Sequence, residues 1–445
     1  MSMHSHFLRK RLLQRIENLK LFWFFFFLSL IQVIVALLLG GLTALAPDEN
    51  YYSSVLSNLH QFKTLQSFPG FNLAPALALH VLYLPGHIFL FIGIEPIIAV
   101  RFVAIFYSIL TYIIIYKLVR ANRPFEFKMS RLLIIIFSIP SFLIWRTLGL
   151  RESFLFFFIS LLLFSFQKLI TNQTAFHGLL HFIALYGLYI TKTYIFLLYG
   201  IALLVFLLLM LITKRLKPFL VPSLIALLVL VFNYSTVSEL LQGVTHSALL
   251  TQNSLEFEVV EESGSENSTG SEISMTSLVI CKEISSLDSP LLSFARQIGL
   301  TRNFDSACKE LNGENSFITP KSNNWRNFLV SDWSSPLSIL GGVSRFLFMP
   351  LIFNDNGTTF LNLASIEGPL WWIVYFYALI SICNGLISRR DIPPVALLSI
   401  IFVAGFLLMS AFIETNLGTS FRHRSMILIP LLITYLAKPM QKAGE

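Results

Sequence analysis

The sequence predicts an all-α, polytopic membrane protein with about ten transmembrane helices. Composition is the first indication: 55% of the 445 residues are hydrophobic, only 13% are charged, and the mean hydropathy is +0.72. Soluble globular domains are much more polar. Length is the second, because several apolar runs approach the roughly 20 residues that a helix needs to cross a bilayer. The net charge of +8 comes from short basic clusters between these runs, which is typical of cytoplasmic loops and gives no nucleic-acid signal.

The first apolar run, Leu21–Leu45, is predicted to be a retained signal-anchor helix with its basic N-terminus in the cytoplasm. Asp48 and Glu49 follow it directly. Carboxylates at the mouth of a membrane helix are costly to place there unless they have a task. The next stretch, Asn50–Ser67, has apolar residues at helical spacing and is predicted to be a surface helix, which one of the two acids can also cap.

Two apolar stretches are predicted to lie at the outer membrane surface as interfacial or re-entrant segments. They are Phe71–Ile94 and Pro336–Phe353, and both are interrupted by glycine and proline. If the first one spanned, the basic cluster at 117–131 would fall outside, against the positive-inside rule.

The remaining apolar runs alternate across the membrane, with both termini and every basic cluster inside. The predicted spans are Leu21–Leu45, Ile97–Leu118, Leu132–Trp145, Ser153–Leu169, Gly178–Thr191, Tyr194–Thr213, Phe219–Val237, Gly368–Ile387, Pro393–Ile413 and Ser425–Ala437.

Three domains follow from this organisation. Residues 1–237 form a transmembrane module whose first outer loop is 46–96. Residues 238–335 form a polar insertion outside the membrane, and 336–445 comprise the second interfacial segment with the C-terminal transmembrane helices. Cys281 and Cys308 both lie in the insertion, where a disulfide depends on an oxidising side of the membrane, so their pairing stays open.

Unusual charges gather at the outer ends of the predicted helices. They are Asp48, Glu49, Arg146, Arg151, Glu152, Lys192, Arg345, Glu367, Glu414, Arg422, His423 and Arg424. Any one of them could be a snorkelling or paired helix-end charge. Their gathering on one face favours a functional site.

This combination of residue types suits a phosphate-headed lipid. Arginines present planar, permanently charged forks that match phosphate oxygens. A carboxylate within hydrogen-bond reach can take the proton of an attacking hydroxyl. A site with both, open to the lipid, can displace the phosphate of a lipid carrier with a hydroxyl nucleophile.

The stretch Pro47-Asp48-Glu49-Asn50-Tyr51-Tyr52 resembles the Asp/Glu signature after the first helix of GT-C-type membrane glycosyltransferases. That superfamily takes sugars from polyprenyl-phosphate carriers. The resemblance implies that Asp48 or Glu49 is the general base or a metal ligand, that Glu152 assists, and that Lys192 holds phosphate. The stretches 148–153 and 416–424 are also similar to membrane proteins of exopolysaccharide and O-antigen gene clusters.

We therefore expect a GT-C-like glycosyltransferase of surface polysaccharide biosynthesis in a bacterial cytoplasmic (inner) membrane. Its partners would be a polyprenyl-phosphate-linked sugar donor, a glycan or lipid-linked glycan acceptor and the lipid bilayer, without nucleic acid. Asp48, Glu49 and Glu152 are the expected catalytic acids. The cations expected to hold the lipid phosphate are Arg151, Lys192, Arg345, Arg422, His423 and Arg424. Two adjacent acids do not make a metal site by themselves, so a divalent metal stays open and no cofactor is assigned.

Other classes of protein remain as alternatives. A polysaccharide polymerase or ligase would use the same residues on a polyprenyl-pyrophosphate-linked glycan. A lipid-linked glycan transporter or flippase also carries charges inside the membrane, but it usually shows related halves. A scaffold of an assembly complex would not need the acids.

Overall fold

A computed structural model describes residues 2–40, 47–60, 82–122, 127–213, 217–232, 336–349, 365–387, 392–413 and 422–437. Over these ranges the structure is all-helical, as predicted, and contains no strand. The helices are α1 Ser2–Leu39, α2 Pro47–His60, α3 Gly86–Phe91, α4 Pro96–Asn122, α5 Phe127–Phe137, α6 Pro140–Thr147, α7 Arg151–Asn172, α8 Ala175–Thr191, α9 Thr193–Ile212, α10 Leu220–Phe232, α11 Pro336–Phe348, α12 Gly368–Ile387, α13 Pro394–Ile413 and α14 Leu428–Thr434.

Six of the helical segments are long and apolar enough to cross a membrane, which is typical of an integral membrane protein. They are Leu19–Leu39, Pro96–Ala121, Arg151–Asn172, Thr193–Ile212, Gly368–Ile387 and Pro394–Ala411. The other four predicted spans occur as shorter helical segments. Two of these, Ala175–Thr191 and Leu220–Val231, are apolar throughout.

The other two predicted spans are interrupted or shortened for physical reasons that hydropathy does not reveal. The predicted span Leu132–Trp145 is interrupted, because α5 ends at Phe137 and Pro140 begins a new helix. Proline lacks the N–H and fits the first turn of a helix but not its interior. The predicted span Ser425–Ala437 consists of two 3₁₀ turns around the seven-residue α14. Protein, not lipid, surrounds it, since every described side chain from Arg424 to Leu436 is buried.

Helix α7 lies at the centre of the packing. It contacts α4 on one side and α8 on the other, and Phe154, Leu155 and Phe156 near its start are fully buried. Aromatic rings fill the space between helices, as where Phe142 of α6 meets Phe156 with ring centroids 4.8 Å apart. The hydroxyls of Ser160 and Ser165 on α7 donate to backbone carbonyls of the preceding turn, which satisfies these polar groups in an apolar environment.

The predicted surface helix is partly a core element. Helix α2 packs against α4, and its side chains Tyr52, Val55 and Leu56 are buried. The end of the first predicted interfacial segment forms the short helix α3, whose Ile88 and Phe91 are largely exposed. The second one forms α11, where Gly342 approaches Ala411 of α13 closely. Residues 71–81 and 350–353 lie outside the described residues.

All described residues except 230–232 belong to one compact unit, formed by Met1–Val229, Phe328–Ile352 and Leu363–Glu445. The second unit comprises Leu230–Asn327 and Phe353–Asn362. The predicted insertion 238–335, with Cys281 and Cys308, lies outside the described residues. Its boundaries and the open disulfide therefore stay predictions.

The close contact between α7 and α8 depends on a glycine, Gly187, whose lack of a side chain leaves room for Phe158. A Cβ atom on Gly187 would lie 2.3 Å from Cε1 of Phe158, whereas a Cβ on Gly200 would meet nothing within 4 Å. We expect Gly187→Ala to lower the stability of the detergent-solubilised protein by about 1–3 kcal/mol, the usual cost of overpacking. Gly200→Ala is the matched control, because it also adds one methyl to a helix. Equal melting temperatures for the two variants would contradict this packing.

Candidate functional site

Two clusters of ionised side chains lie at the same end of the helical bundle. The first joins Glu49 of α2 to Arg101 of α4, and the second surrounds Glu152 of α7. The turn at residues 148–150 connects them, because it contacts Glu49 and leads directly into α7.

In the first cluster Glu49 and Arg101 form a bidentate ion pair without solvent exposure. Arg101 donates from Nε to Oε1 over 2.9 Å and from Nη2 to Oε2 over 3.2 Å. Its Nη1 donates to the Gly40 carbonyl at the end of α1 over 2.8 Å. The exposure of both side chains is 0%. The pair therefore fastens α1, α2 and α4 to one another.

Gly149 is held between this ion pair and α4. Its N–H donates to Oε1 of Glu49 over 3.2 Å, and its carbonyl accepts from the Tyr83 hydroxyl over 2.8 Å. A Cβ atom on Gly149 would lie 2.1 Å from Cγ1 of Val100, so only glycine allows so close an approach. Because α7 begins at Arg151, this turn fixes the position of Glu152.

In the second cluster Glu152 binds two cations from distant parts of the chain. Arg422 donates from Nε and Nη2 to the two carboxylate oxygens, each over 2.8 Å. The ammonium of Lys192 lies 3.7 Å from Oε1. Glu152 is fully buried, but Lys192 is 10% and Arg422 is 22% exposed. The carboxylate thus lies beneath the cations, which face the accessible side.

Lys192 occupies the break between α8 and α9, in an extended conformation with φ −153° and ψ 94°. Its Nζ lies 2.8 Å from Nε2 of His423 and donates to the Tyr194 hydroxyl over 3.2 Å. The guanidinium of Arg422 lies over the ring of Trp145, 5.7 Å from its centroid. Among the described residues, two permanent cations face one carboxylate in this cluster.

The structure therefore brings together four of the predicted site residues, namely Glu152, Lys192, Arg422 and His423. Glu49 lies in the neighbouring cluster. The side chain of Asp48 lies outside the described residues. Arg151 adjoins Glu152 in sequence, and its buried Nε has no hydrogen-bond partner in the described ranges.

Two predicted phosphate ligands lie in other surroundings. Arg424 is fully buried, donates to the Met349 carbonyl and lies over the ring of Trp371. The acid near it is Glu367, which accepts from the Ser141 N–H over 2.8 Å and from Nε1 of Trp371 over 3.0 Å. Arg345 lies on α11, where desolvation lowers the pKa of its guanidinium without removing the charge.

Arg146, a weaker member of the predicted set, is enclosed by aromatic rings. Its guanidinium lies 3.9 Å from the ring centroid of Phe142 and 4.7 Å from that of Tyr112, and it has no exposure. Nη1 and Nη2 have no hydrogen-bond partner within the described part of the chain. Cation–π contacts compensate this charge.

Sequence reasoning missed the roles of Arg101, Tyr194 and Trp145. Arg101 had a usable signal, since it is a lone charge inside the apolar run Pro96–Tyr116 and such a charge needs a partner. The two aromatic residues had none, because aromatic side chains are abundant throughout this chain.

Metal binding finds no support in the described ranges, where no group of three His, Cys, Asp or Glu side chains converges. Glu49 and Glu152 each accept a bidentate arginine instead.

Comparisons with protein-family models, with curated proteins and with solved structures found no match to this chain.

The Glu49–Arg101 pair leads to a test that separates anchoring from chemistry. Removing one partner strands a buried charge, so Glu49→Gln and Arg101→Gln should each lower the free energy of unfolding by about 3–5 kcal/mol. The double variant should lose less than the sum, because two amides can bond to each other. Thermal unfolding in detergent measures this. Glu95→Gln, at an exposed carboxylate just before α4, is the control. A Glu49→Gln protein as stable as the control but inactive would contradict anchoring.

Proposed function

We propose that this chain is a GT-C-like membrane glycosyltransferase with about ten spans. It transfers a sugar from a polyprenyl-phosphate-linked donor to an acceptor on the outer face of the cytoplasmic membrane, in surface polysaccharide biosynthesis. The observation that carries the proposal is the cluster in which Lys192, Arg422 and His423 surround the buried Glu152.

The charge and accessibility of this cluster support phosphate binding. Arg422 is 22% exposed, and its bidentate contact with Glu152 fixes the orientation of the guanidinium. Lys192 contributes a compact second charge. Two cations beside one carboxylate among the described residues favour an anion in this mostly buried environment, because the low dielectric strengthens the attraction.

The acidic residues have different roles in this proposal. Glu152 orients the cations, and Glu49 anchors the turn that carries Glu152. If either of these carboxylates acted as the general base, taking a proton would remove the negative charge that strengthens its two arginine hydrogen bonds. We therefore assign the base to Asp48, which neighbours the anchored Glu49. Asp48 takes the proton of the acceptor hydroxyl, and the hydroxyl oxygen bonds to the anomeric carbon. The lipid phosphate leaves with the electrons of the broken C–O bond.

Binding and turnover measured separately on the purified protein test these roles. We expect Lys192→Met and Arg422→Gln to weaken binding of a long-chain isoprenyl phosphate by about 10–100-fold, since a bond to a charged group contributes about 1.5–3 kcal/mol. Asp48→Asn should bind normally and stop sugar transfer. Lys117→Met, at an exposed lysine near the opposite end of α4, is the control for charge removal. Loss of binding in Asp48→Asn with normal binding in the cation variants would overturn the assignment.

Glycan profiling of a deletion strain tests the process in the cell. Wild type should restore the surface glycan, and Asp48→Asn should insert into the membrane but fail to restore it. Loss of a single sugar identifies a transferase, whereas loss of long chains identifies a polymerase or ligase at the same site. Full restoration by Asp48→Asn would exclude Asp48 as the base and would return the transporter and the scaffold to consideration.

A further inference from the structure

Arg146 of α6 carries a buried positive charge, and its outer nitrogens lack hydrogen-bond partners within the described ranges. The side chain has no solvent exposure, and an arginine keeps its proton inside proteins. Its Nε donates to the Phe142 carbonyl over 3.0 Å, whereas Nη1 and Nη2 donate to no acceptor in that part of the chain. Buried donors of this kind are costly, so they indicate a bound water or ion.

The aromatic rings around Arg146 compensate its charge only in part. The ring centroids of Phe142, Tyr112 and Phe137 lie 3.9, 4.7 and 5.1 Å from its Cζ atom. Such rings attract a cation through their faces but carry no net negative charge. Among the described residues its titratable neighbour is the Tyr112 phenol, and no carboxylate pairs with it. An anion is therefore needed to balance the guanidinium.

A further unsatisfied donor lies beside the same tyrosine. The Tyr112 hydroxyl on α4 donates to Oε1 of Gln32 on α1 over 3.2 Å. Nε2 of the same amide has no hydrogen-bond partner in the described part of the chain, and Gln32 is fully buried. The orientation of the amide is assigned from this hydrogen bond. Tyr112 thus connects Gln32 to Arg146, and both present N–H groups that need an acceptor.

The chemistry of these nitrogens selects the ligand. All of them are donors, and the guanidinium adds a permanent positive charge. Water can accept their hydrogen bonds but leaves the charge unbalanced. A metal cation would be repelled. A small inorganic monoanion accepts several N–H bonds, balances the charge and suits a position without solvent exposure.

We propose that Arg146 and Gln32 bind a chloride ion inside the helical bundle, between α1 and α6. Nη1 and Nη2 of Arg146 and Nε2 of Gln32 donate to the ion, and Tyr112 holds the two side chains in position. This site goes beyond the proposed function and does not depend on it. Because Trp145 precedes Arg146 on α6 and lies under Arg422, the ion also stabilises the helix that carries this contact.

Thermal unfolding of the full chain in detergent tests this site. Chloride replaces gluconate at constant ionic strength, so that general screening stays the same. We expect the melting temperature of wild type to rise by about 1–3 °C and to level off when chloride reaches about 10–100 times its Kd. Bromide should act in the same way.

Three variants separate the site from general effects of the anion exchange. Arg146→Met keeps an apolar contact with the rings, so it should fold and lose the saturable response. Gln32→Leu should bind chloride about 10-fold more weakly, since it loses one bond to a charged group. Arg120→Met is the matched control and should respond as wild type does. Arg120 also lies over a tyrosine ring, that of Tyr116, but it is only half-buried.

Anomalous scattering from crystals of the full chain grown in bromide locates the ion directly. We expect a peak within hydrogen-bond distance of Nη1 or Nη2 of Arg146. A wild type that does not respond to chloride, or an equal response in Arg146→Met, would overturn the proposal. Unchanged affinity in Gln32→Leu would overturn the position of the ion between α1 and α6.

The bromide measurement decides even if Arg146→Met does not fold, since absence of the peak from this position contradicts the site. None of these experiments uses a lipid phosphate. Failure of the chloride site therefore leaves the proposed function to be judged by its own binding and turnover assays.

Discussion

The structure depends on the pairing of charges that are buried at one end of an apolar helical bundle. An isolated charge at membrane depth costs several kcal/mol, so each buried carboxylate needs a cation from elsewhere in the chain. Glu49 and Arg101 meet this need with a bidentate ion pair at 0% exposure. Because their partners also include Gly40 and Gly149, one ion pair fixes the ends of α1, α2 and α4 and the turn before α7.

The two clusters differ in a way that assigns them different tasks. Among the described residues, the first pairs one guanidinium with one carboxylate and is sealed from solvent, so it holds the backbone in place. The second has one carboxylate beside two permanent cations, and those cations are partly exposed. The proposed phosphate site needs cations that are both held in place and accessible. The Gly149 turn links the two, so the sealed pair positions the accessible one.

Sequence alone predicted the helical membrane class and a larger set of charges on one face. The structure brings Glu152, Lys192, Arg422 and His423 of that set together and places Arg146 and Arg424 in other surroundings. The sequence did not predict which acid pairs with which arginine. Arg422 and Arg424 are two positions apart, and at about 100° per residue side chains at that separation point to different sides of a helical turn. One meets Glu152, and the other is buried over Trp371. Such distinctions come from tertiary packing, which hydropathy does not encode.

The adjacency of Asp48 and Glu49 then has a physical explanation. A carboxylate that must hold an arginine, a backbone N–H and three helices in place is poorly suited to change its charge in each catalytic cycle. Protonation would release Arg101 into an apolar environment and loosen the turn that carries Glu152. A base must instead be able to gain and lose a proton while its surroundings stay fixed. In the proposed reaction, two neighbouring acids meet both requirements, because the anchored Glu49 fixes the backbone on which Asp48, the proposed base, lies.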